Sequence, residues 1–339
     1  MKSYYCRRLF EDLNFSVEKV YICSGLAKSI GFDIPNKNEK IGKYIKRLIS
    51  WRKKIYNFAL NNKIPEQCLG CKELQKTEIS FLQYLKNLTK INNYKIKNIV
   101  VKSFRQCEYA CVYCLEKGYT KGEKTTEIIQ SKYYNFKPIL EKLIHYNLID
   151  HDVCIEFQGG SISVLDEFDE LLNIINNFEV GKLIYHTNCY SYIPKISQLA
   201  KKVNSYISVS IDAGTSETYK KIKTVDSFDR VIQNIIKYAN SNIQCNVKYI
   251  LVRKCNDNID EIKNYCELIK KIHSSVNNKK NISIMLEIDF RDSLREDFQI
   301  PQHYLEFFKY VISFSKDNGI NFACQDFIRE YLKRDNIVF

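Results

Sequence analysis

Residues 99–114 read IVVKSFRQCEYACVYC, and this stretch decides how the rest of the chain is interpreted. Its β-branched start predicts a strand, and Cys107, Cys111 and Cys114 follow closely after it. Thiolates are soft ligands that hold zinc and iron–sulfur clusters, and a site with three protein ligands leaves one coordination position open. The stretch therefore predicts a metal site at the end of a strand, with zinc and three ordinary half-buried cysteines as the alternatives.

From residue 97 onward, short apolar runs alternate with amphipathic stretches, which predicts parallel strands joined by helices. This order indicates an α/β fold of about six βα units, fewer than the eight of a complete TIM barrel. Strands are predicted at 99–104, 153–157, 183–187, 206–211, 247–252 and 284–290, and helices at 126–147, 165–177, 194–203, 228–239, 259–272 and 304–316.

The strands alternate apolar and polar residues, and the two sets of side chains point to opposite faces. A parallel sheet normally has both faces covered, so the polar set is expected to line the barrel interior; a face open to solvent is the alternative. The candidates to orient a polar substrate there are Glu156, Lys248, Glu287, Asp289 and Arg291.

The cysteine spacing, with Tyr113 before the last cysteine, resembles the signature of the radical S-adenosylmethionine (SAM) enzymes. The resemblance implies a partial (β/α)6 TIM-type barrel in which Cys107, Cys111 and Cys114 hold three irons of a 4Fe-4S cluster. The fourth iron would chelate SAM, whose reductive cleavage gives a 5′-deoxyadenosyl radical that abstracts hydrogen from a substrate. An electron donor such as a flavodoxin or ferredoxin is the implied partner.

Other segments resemble the SAM-binding motifs of the same family. Gly159-Gly160-Ser161 resembles the Gly-Gly-Glu motif that binds the amino end of SAM, with a serine in place of the acid. A serine hydroxyl accepts a hydrogen bond but cannot neutralise an ammonium charge. By the same resemblance, the residues implied in cofactor binding are Tyr113, Gly159, Gly160, Ser161, Asn188, Ser210 and Asp212.

Residues 1–90 contain a second set of cysteines: Cys6, Cys23, Cys68 and Cys71. A strand at 9–15, a hairpin partner at 19–23, a helix and a loop with paired cysteines resemble the SPASM/Twitch auxiliary-cluster modules, which usually follow the barrel. The resemblance implies a small N-terminal α+β metal-binding module at 1–90 with a second 4Fe-4S cluster, and the barrel with a closing segment at 91–339. Structural zinc at the same four cysteines is the alternative.

Two further cysteines are candidate hydrogen donors. Cys255 follows the predicted strand 247–252, on the face where barrel loops assemble active sites, and Cys324 lies in a late closing segment. Radical epimerases use a cysteine to return hydrogen, although a buried structural cysteine is the more common case. We therefore expect epimerisation or dehydrogenation of a carbohydrate or small metabolite. A peptide maturase and a zinc-containing nucleic-acid-binding protein are the alternatives.

The chain has 339 residues and a formal net charge of +13. Most of the excess lies in the first 100 residues, where a helix over 40–63 is expected to turn its basic residues to solvent. No apolar stretch approaches the roughly 18 residues of a membrane span, and the start lacks the apolar core of a signal peptide. We expect a cytoplasmic protein whose 13 cysteines stay reduced or bind metal, with nucleic acid an improbable partner.

Overall fold

A computed structural model of the chain describes residues 2–23, 31–36, 38–63, 68, 71, 74–78, 80, 83, 86, 95–114, 134–178, 180–293 and 298–334. Residues 126–133 of the predicted helix 126–147 lie outside these ranges. The chain divides into two compact units. The first contains Met1–Arg105, Thr126–Gly160 and Leu165–Leu183, and the second contains Gln106–Thr125, Ser161–Val164 and Ile184–Phe339.

The first unit combines a mixed sheet with four helices among its described residues. Its sheet has the order β7–β6–β2–β3–β4, in which β7, β6 and β2 are parallel and the β2–β3 and β3–β4 pairs are antiparallel, while β1 pairs separately with β5. The strands are β1 (Lys2–Tyr5), β2 (Asp12–Ser16), β3 (Lys19–Tyr21), β4 (Gly31–Asp33), β5 (Gln75–Glu78), β6 (Ile96–Lys102) and β7 (Ile149–Phe157). The helices are α1 (Arg7–Glu11), α2 (Ile41–Leu60), α3 (Lys137–His145) and α4 (Phe168–Phe178).

Two predictions for the N-terminal residues can be compared with this unit. The predicted hairpin is present, but residues 7–11 form α1 and the strand begins only at Asp12. Helix α2 buries its apolar side and exposes Lys43, Lys46 and Lys54, which confirms the solvated basic face. Arg52 is the exception, because it is 3% exposed. Strand β2 pairs with β6, so an N-terminal strand extends the sheet that contains the start of the predicted barrel.

The second unit is built from parallel strands in the order β12–β11–β10–β9–β8. Its strands are β8 (Lys182–Thr187), β9 (Asn204–Ser210), β10 (Gln244–Leu251), β11 (Ile282–Ile288) and β12 (Asn321–Cys324). Its helices are α5 (Pro194–Leu199), α6 (Ser216–Lys223), α7 (Phe228–Asn240), α8 (Ile259–Ser274), α9 (Phe290–Ser293), α10 (Gln302–Asp317) and α11 (Asp326–Arg334).

The α/β class and the parallel strand–helix order are confirmed, and this order is consistent with a TIM-type partial barrel. All six predicted strands are present as β6 to β11, and β12 adds a parallel strand that the prediction left out. The predicted strand 284–290 was wrong at its end, because β11 stops at Ile288 and Phe290 begins α9. The proposed division at residue 90 stays a prediction.

The alternation of buried and half-exposed side chains follows the predicted parity on β11, whereas β9 buries Ile207, Ser208 and Val209 in succession. On β11, Ile282, Ile284, Leu286 and Ile288 are buried, while the intervening side chains are half-exposed. Within the described ranges, no helix combines the length and the apolar character needed to cross a bilayer.

Candidate active site around the three-cysteine loop

The loop 107–114 carries all three cysteines of the motif on a short, non-repetitive segment of the second unit. A tight turn forms at its end, where the Cys114 N–H donates to the Cys111 carbonyl at 3.0 Å. All three thiols are half-buried. The pKa of Cys107 is raised to about 12, mainly by burial and in part by the nearby Glu108, Cys111 and Cys114. The three sulfurs are therefore close enough to repel one another when ionised, and a bound metal cluster would offset that repulsion.

Tyr113 connects this loop to a buried ion pair. Its hydroxyl donates to Asp212 Oδ2 at 2.5 Å, and Lys223 Nζ donates both to the Tyr113 hydroxyl at 2.6 Å and to Asp212 Oδ2. Asp212 is fully buried and Lys223 is 2% exposed. Such a pair is costly to bury, and its energy depends on keeping every partner in place. The pair therefore fixes the position of the loop between Cys111 and Cys114.

Asp212 is held on its other side by the backbone that follows β9 and β10. It takes a left-handed conformation with φ of +58°, its Oδ1 accepts from the Ile250 N–H at 2.8 Å, and its carbonyl accepts from Asn256 Nδ2 at 2.8 Å. Both carboxylate oxygens are thus already bonded within the protein. The predicted contact of Asp212 with SAM stays a prediction. Ser210, two residues earlier, is half-exposed at the end of β9.

A second polar network starts at Glu108, the residue after the first cysteine. Its Oε1 accepts from the Ser163 hydroxyl at 2.5 Å, and its Oε2 accepts from Asn188 Nδ2 at 3.0 Å. Ser163 and Ser161 are joined at 2.6 Å, and Asn188 Nδ2 also lies 3.7 Å from the Cys107 sulfur. Ser161 and Asn188 were each predicted separately from sequence. The structure brings them together around one carboxylate.

The two glycines of the predicted SAM motif belong to the first unit. Gly159 has φ of +116°, and a Cβ at this position would lie 2.5 Å from the Phe104 carbonyl oxygen. Only glycine fits there, because the backbone of the segment after β6 occupies the space of a side chain. Gly160 follows it and ends the segment Thr126–Gly160 of the same unit.

The polar residues predicted to line the barrel form ion pairs. Lys248 Nζ lies 3.3 Å from Glu287 Oε2, and both side chains are largely buried. Arg291 donates through Nε to Asp289 Oδ2 at 2.8 Å and through Nη1 to the Val112 carbonyl, inside the cysteine loop, at 2.9 Å. In the first unit, Glu156 accepts a hydrogen bond from Gln158.

The two candidate hydrogen donors differ in their surroundings. Cys255 is half-exposed in the turn after β10, where its N–H donates to the Val252 carbonyl at 3.0 Å. The pKa of Arg291 is raised by its hydrogen bond to Asp289, with a smaller contribution from Cys255, so this thiol lies near the arginine that contacts the cysteine loop. Cys324 is 3% exposed on β12, and burial raises its pKa to about 11.

The four N-terminal cysteines lie together in the first unit. Burial raises the pKa of the Cys68 thiol, and the nearby Cys6, Cys23 and Cys71 thiols raise it further. Cys6 directly precedes α1, and the Cys71 N–H donates to the Cys68 carbonyl at 3.1 Å. Three separate segments therefore bring four thiols into electrostatic range of one another.

Comparison with known proteins identifies the family. Residues 101–269, which include the three-cysteine loop, Asn188 and Asp212, match the Radical SAM superfamily. The chain belongs to the radical SAM superfamily. This membership implies a 4Fe-4S cluster and SAM.

Curated relatives of this radical SAM protein are distant. It is 22% identical over 222 residues to the dual-specificity RNA methyltransferase RlmN of Buchnera aphidicola subsp. Schizaphis graminum. The aligned region covers 59% of this chain and 61% of the relative. It is 22% identical over 167 residues to GTP 3′,8-cyclase of Clostridium perfringens strain SM101, which covers 49% of each chain. The chain thus spans less than two thirds of the length of either relative.

Solved structures with a similar fold are equally distant. One is Streptococcus suis SuiB bound to precursor peptide SuiA, with a TM-score of 0.48 and 15% identity over 96% of this chain and 73% of that chain. Another is native anSMEcpe with bound AdoMet, with a TM-score of 0.47 and 14% identity over 67% of this chain and 63% of that chain.

The residues of the loop fit the implied cluster. Three thiols on one segment match the cysteine ligation of iron–sulfur clusters, and Lys223 lies close enough to Cys111 to oppose the rise that burial causes in the pKa of this thiol. Within the described ranges, no three His, Cys, Asp or Glu side chains converge tightly enough to hold a single metal ion. A four-iron cluster is larger, because its cysteines bind different irons.

Sequence reasoning missed four residues that organise the site: Glu108, Lys223, Asn256 and Glu261. Glu261 accepts from the Gly214 and Thr215 N–H groups at 2.7 and 3.1 Å, which fixes the segment after Asp212. Lys223 could have been noticed, because it shares the buried face of α6 with Tyr219 and Ile222. Glu108 stood inside the motif, but nothing in the sequence indicated its partners.

Proposed function

We propose that this chain reductively cleaves SAM at a 4Fe-4S cluster held by Cys107, Cys111 and Cys114. The observation that supports this most strongly is the way the cysteine loop is held. Tyr113 is bonded to the buried Asp212–Lys223 pair, and the Val112 carbonyl is bonded to Arg291. A redox site requires ligands that keep their positions when the charge changes, and these two anchors, the buried Asp212–Lys223 pair and the exposed Arg291, hold the loop in place.

The chemistry is supplied by the bound groups. A 4Fe-4S cluster held by Cys107, Cys111 and Cys114 would supply the electron for the reductive cleavage of SAM to methionine and a 5′-deoxyadenosyl radical, which would abstract hydrogen from the substrate. The chain supplies the ligands, a buried cation near Cys111 and the polar groups Ser161, Asn188 and Ser210, which we assign to SAM with Tyr113, Gly159, Gly160 and Asp212. An external electron carrier such as a flavodoxin or ferredoxin delivers the electron.

This proposal is tested by reconstituting the protein with iron and sulfide without oxygen. Dithionite and SAM should then give methionine and 5′-deoxyadenosine, measured by liquid chromatography. Replacing Cys107, Cys111 and Cys114 together by Ala should abolish the product. The control is Lys220→Ala, at an exposed position. It should leave the amount of 5′-deoxyadenosine unchanged, because Lys220 has no contact with the cysteine loop among the described residues. Persistent SAM cleavage by the triple variant would falsify the proposal.

We also propose an auxiliary 4Fe-4S cluster at Cys6, Cys23, Cys68 and Cys71. It is supported by the mutual proximity of these four thiols, two of which are 8% exposed. The reconstituted protein should then contain about eight irons, since each cluster holds about four. Metal analysis of the protein as purified distinguishes this proposal from structural zinc, which would give about one zinc per chain. Iron near four per chain that Cys68→Ala does not lower would rule out the second cluster.

The substrate that we propose is a polar carbohydrate or small metabolite. The partly buried Lys248–Glu287 pair and the pair of the exposed Arg291 with Asp289 support this, because charges of both signs can orient hydroxyl and phosphate groups. Phosphorylated sugars and short peptides should therefore be compared for their ability to accelerate 5′-deoxyadenosine formation. Acceleration by peptides alone would indicate a maturase instead.

For the reaction type we propose epimerisation with Cys255 as the hydrogen donor, and dehydrogenation as the alternative. Cys255 is half-exposed and near Arg291, whereas Cys324 is almost fully buried. After hydrogen abstraction, the Cys255 S–H would return a hydrogen atom to the opposite face of the carbon. One electron from the reductant and one proton from water would then restore the thiol. In deuterated water the product should carry one deuterium, and Cys255→Ala should remove it; a product without deuterium contradicts the thiol donor.

A further inference from the structure

Glu108 is a partly buried carboxylate whose described contacts leave its charge uncompensated. Its two oxygens accept hydrogen bonds from Ser163 and Asn188, which are neutral. Among the described residues, no Lys, Arg or His nitrogen forms an ion pair with it. A carboxylate in this setting favours a cationic partner, because desolvation of an unpaired charge is unfavourable. The preceding residue in the chain is the cysteine Cys107, whose thiolate would add negative charge at the same place.

The direction of the hydrogen bonds in the network can be worked out. Ser163 has one hydroxyl hydrogen, and it is donated to Glu108 Oε1. The 2.6 Å contact between Ser161 and Ser163 must therefore use the hydrogen of Ser161. Ser161 is left with only lone pairs to offer a further partner. Its oxygen and the free lone pairs of Glu108 thus form an acceptor-only site, which suits a group that is rich in N–H donors and positively charged.

The network also connects the residues that a bound SAM molecule would meet. Asn188 Nδ2 reaches both Glu108 and the Cys107 sulfur, so Glu108 lies beside a cluster ligand. Ser161 stands where the motif of the family would have its acid, and it is 1% exposed. The charge that is lost at position 161 is thus present nearby, on a residue of the cysteine loop. A ligand ammonium in contact with Ser161 would lie within the field of Glu108.

We propose that Glu108 is the carboxylate that binds the α-ammonium group of SAM, with Ser161 as the second acceptor. This inference rests on the proposed function, since it assigns one residue to SAM at the same cluster. It differs from the expected arrangement in that the negative charge comes from the segment between the first two cysteines and not from the glycine motif. Ser163 and Asn188 position the carboxylate.

The test compares two ligands on the reconstituted, iron-loaded protein, by anaerobic equilibrium binding. One ligand is SAM, and the other is the SAM analogue in which hydrogen replaces the α-amino group. Glu108→Gln keeps the size of the side chain and removes its charge. It should weaken SAM binding by about 10- to 100-fold, the range expected for a hydrogen bond to a charged group. Binding of the analogue should change by less than about twofold, because the analogue has no ammonium to lose.

Two further variants separate charge from structure. Glu108→Asp keeps the charge and should retain a preference for SAM over the analogue. Glu217→Gln is the matched control, since Glu217 is an exposed carboxylate at the start of α6, and it should leave both affinities unchanged. Iron content and the electron paramagnetic resonance signal of the reduced cluster without SAM should be the same in all variants.

The outcomes are distinct. If Glu108→Gln weakens both ligands equally, or lowers the iron content, Glu108 acts as a structural brace and the inference is wrong. If Glu108→Gln binds SAM as tightly as the wild type, the inference is also wrong. In both cases the wild-type protein still binds and cleaves SAM, so the proposed function stands. If the wild-type iron-loaded protein binds no SAM, the proposed function itself fails together with the inference.

Discussion

The loop 107–114 supplies three cysteines from one short segment, whereas the four cysteines of the first unit come from three segments spread over residues 6–71. The loop is held by a buried pair and by an exposed arginine, since Tyr113 bonds to Asp212 and Lys223, and Arg291 bonds to the Val112 carbonyl. Its ligand spacing is set by the local chain and its rigidity by the surrounding fold. The dispersed set needs the fold to create the spacing itself. The difference suggests that the two sets can be disturbed independently.

The largest effect should come from removing one ligand of each set in turn. Cys111→Ala should abolish 5′-deoxyadenosine formation, because the cluster loses one of its three cysteine ligands. Cys68→Ala should lower the iron content from about eight to about four per chain and leave SAM cleavage measurable. Both quantities are measured on the same anaerobic preparations. If Cys68→Ala loses SAM cleavage while the cluster of the cysteine loop is still visible by electron paramagnetic resonance, the two cysteine sets do not act independently.

The next effect concerns the buried anchor of the loop. Lys223→Met leaves the Asp212 carboxylate buried without its cation, so the free energy of unfolding should fall by about 3 to 5 kcal/mol. The matched control is Lys220→Met on the same helix, whose ion pair with Asp226 is exposed. In that variant the free energy of unfolding should fall by less than about 1 kcal/mol. Denaturant unfolding followed by circular dichroism measures both, and equal losses would show that the pair is not an anchor.

A smaller effect is expected at Glu261, which fixes the segment after Asp212 through the Gly214 and Thr215 N–H groups. Glu261→Gln can turn an amide N–H₂ toward these donors and removes the charge that they solvate. Stability should fall by about 1 to 3 kcal/mol. Glu267→Gln, at an exposed position of the same helix, should change it by less than about 0.5 kcal/mol. A loss no larger than that of the control would mean that this segment does not depend on Glu261.

The smallest effect should follow Thr224→Ala. The Thr224 hydroxyl oxygen accepts from the Ala110 N–H of the cysteine loop at 3.3 Å, and the residue is exposed. Water can replace this bond, so the loss should be at most about 1 kcal/mol. SAM cleavage should be unchanged. A loss as large as that of Lys223→Met would shift the anchor of the loop from the buried pair to this surface contact.

Much of the fold was predictable because the spacing of apolar residues along the sequence differs between strands and helices. The six predicted strands β6 to β11 are present, and the buried residues of β11 follow the predicted parity. Strand β12 was missed because it has only four residues and one of them is buried. Such a short segment shows no clear alternation of apolar and polar residues. Residues 9–11 were assigned to a strand because Leu9 and Phe10 suit either structure, but they lie in α1.

The candidate site was predicted less completely. Cys107, Cys111, Cys114, Ser161, Asn188 and Asp212 were named from motifs, since each lies in a recognisable local pattern. Lys223, Asn256 and Glu261 were not, because their importance comes from hydrogen bonds to residues 11 to 47 positions away. Local patterns do not encode such distances. Asp212 itself proved to be bonded on both carboxylate oxygens, which its motif did not indicate.

The sequence by itself determined the spacing of Cys107, Cys111 and Cys114, and with it the family, because three ligands on one short loop need no distant residue to define their chemistry. Only the tertiary structure decided which groups surround that loop. It buried Lys223 against Asp212 and Tyr113, and it brought Ser161, Ser163 and Asn188 to Glu108. The physical reason is that the chemical role of a charged side chain depends on its hydrogen-bond partners and on its exposure to solvent. Both are fixed by contacts between segments far apart in the chain.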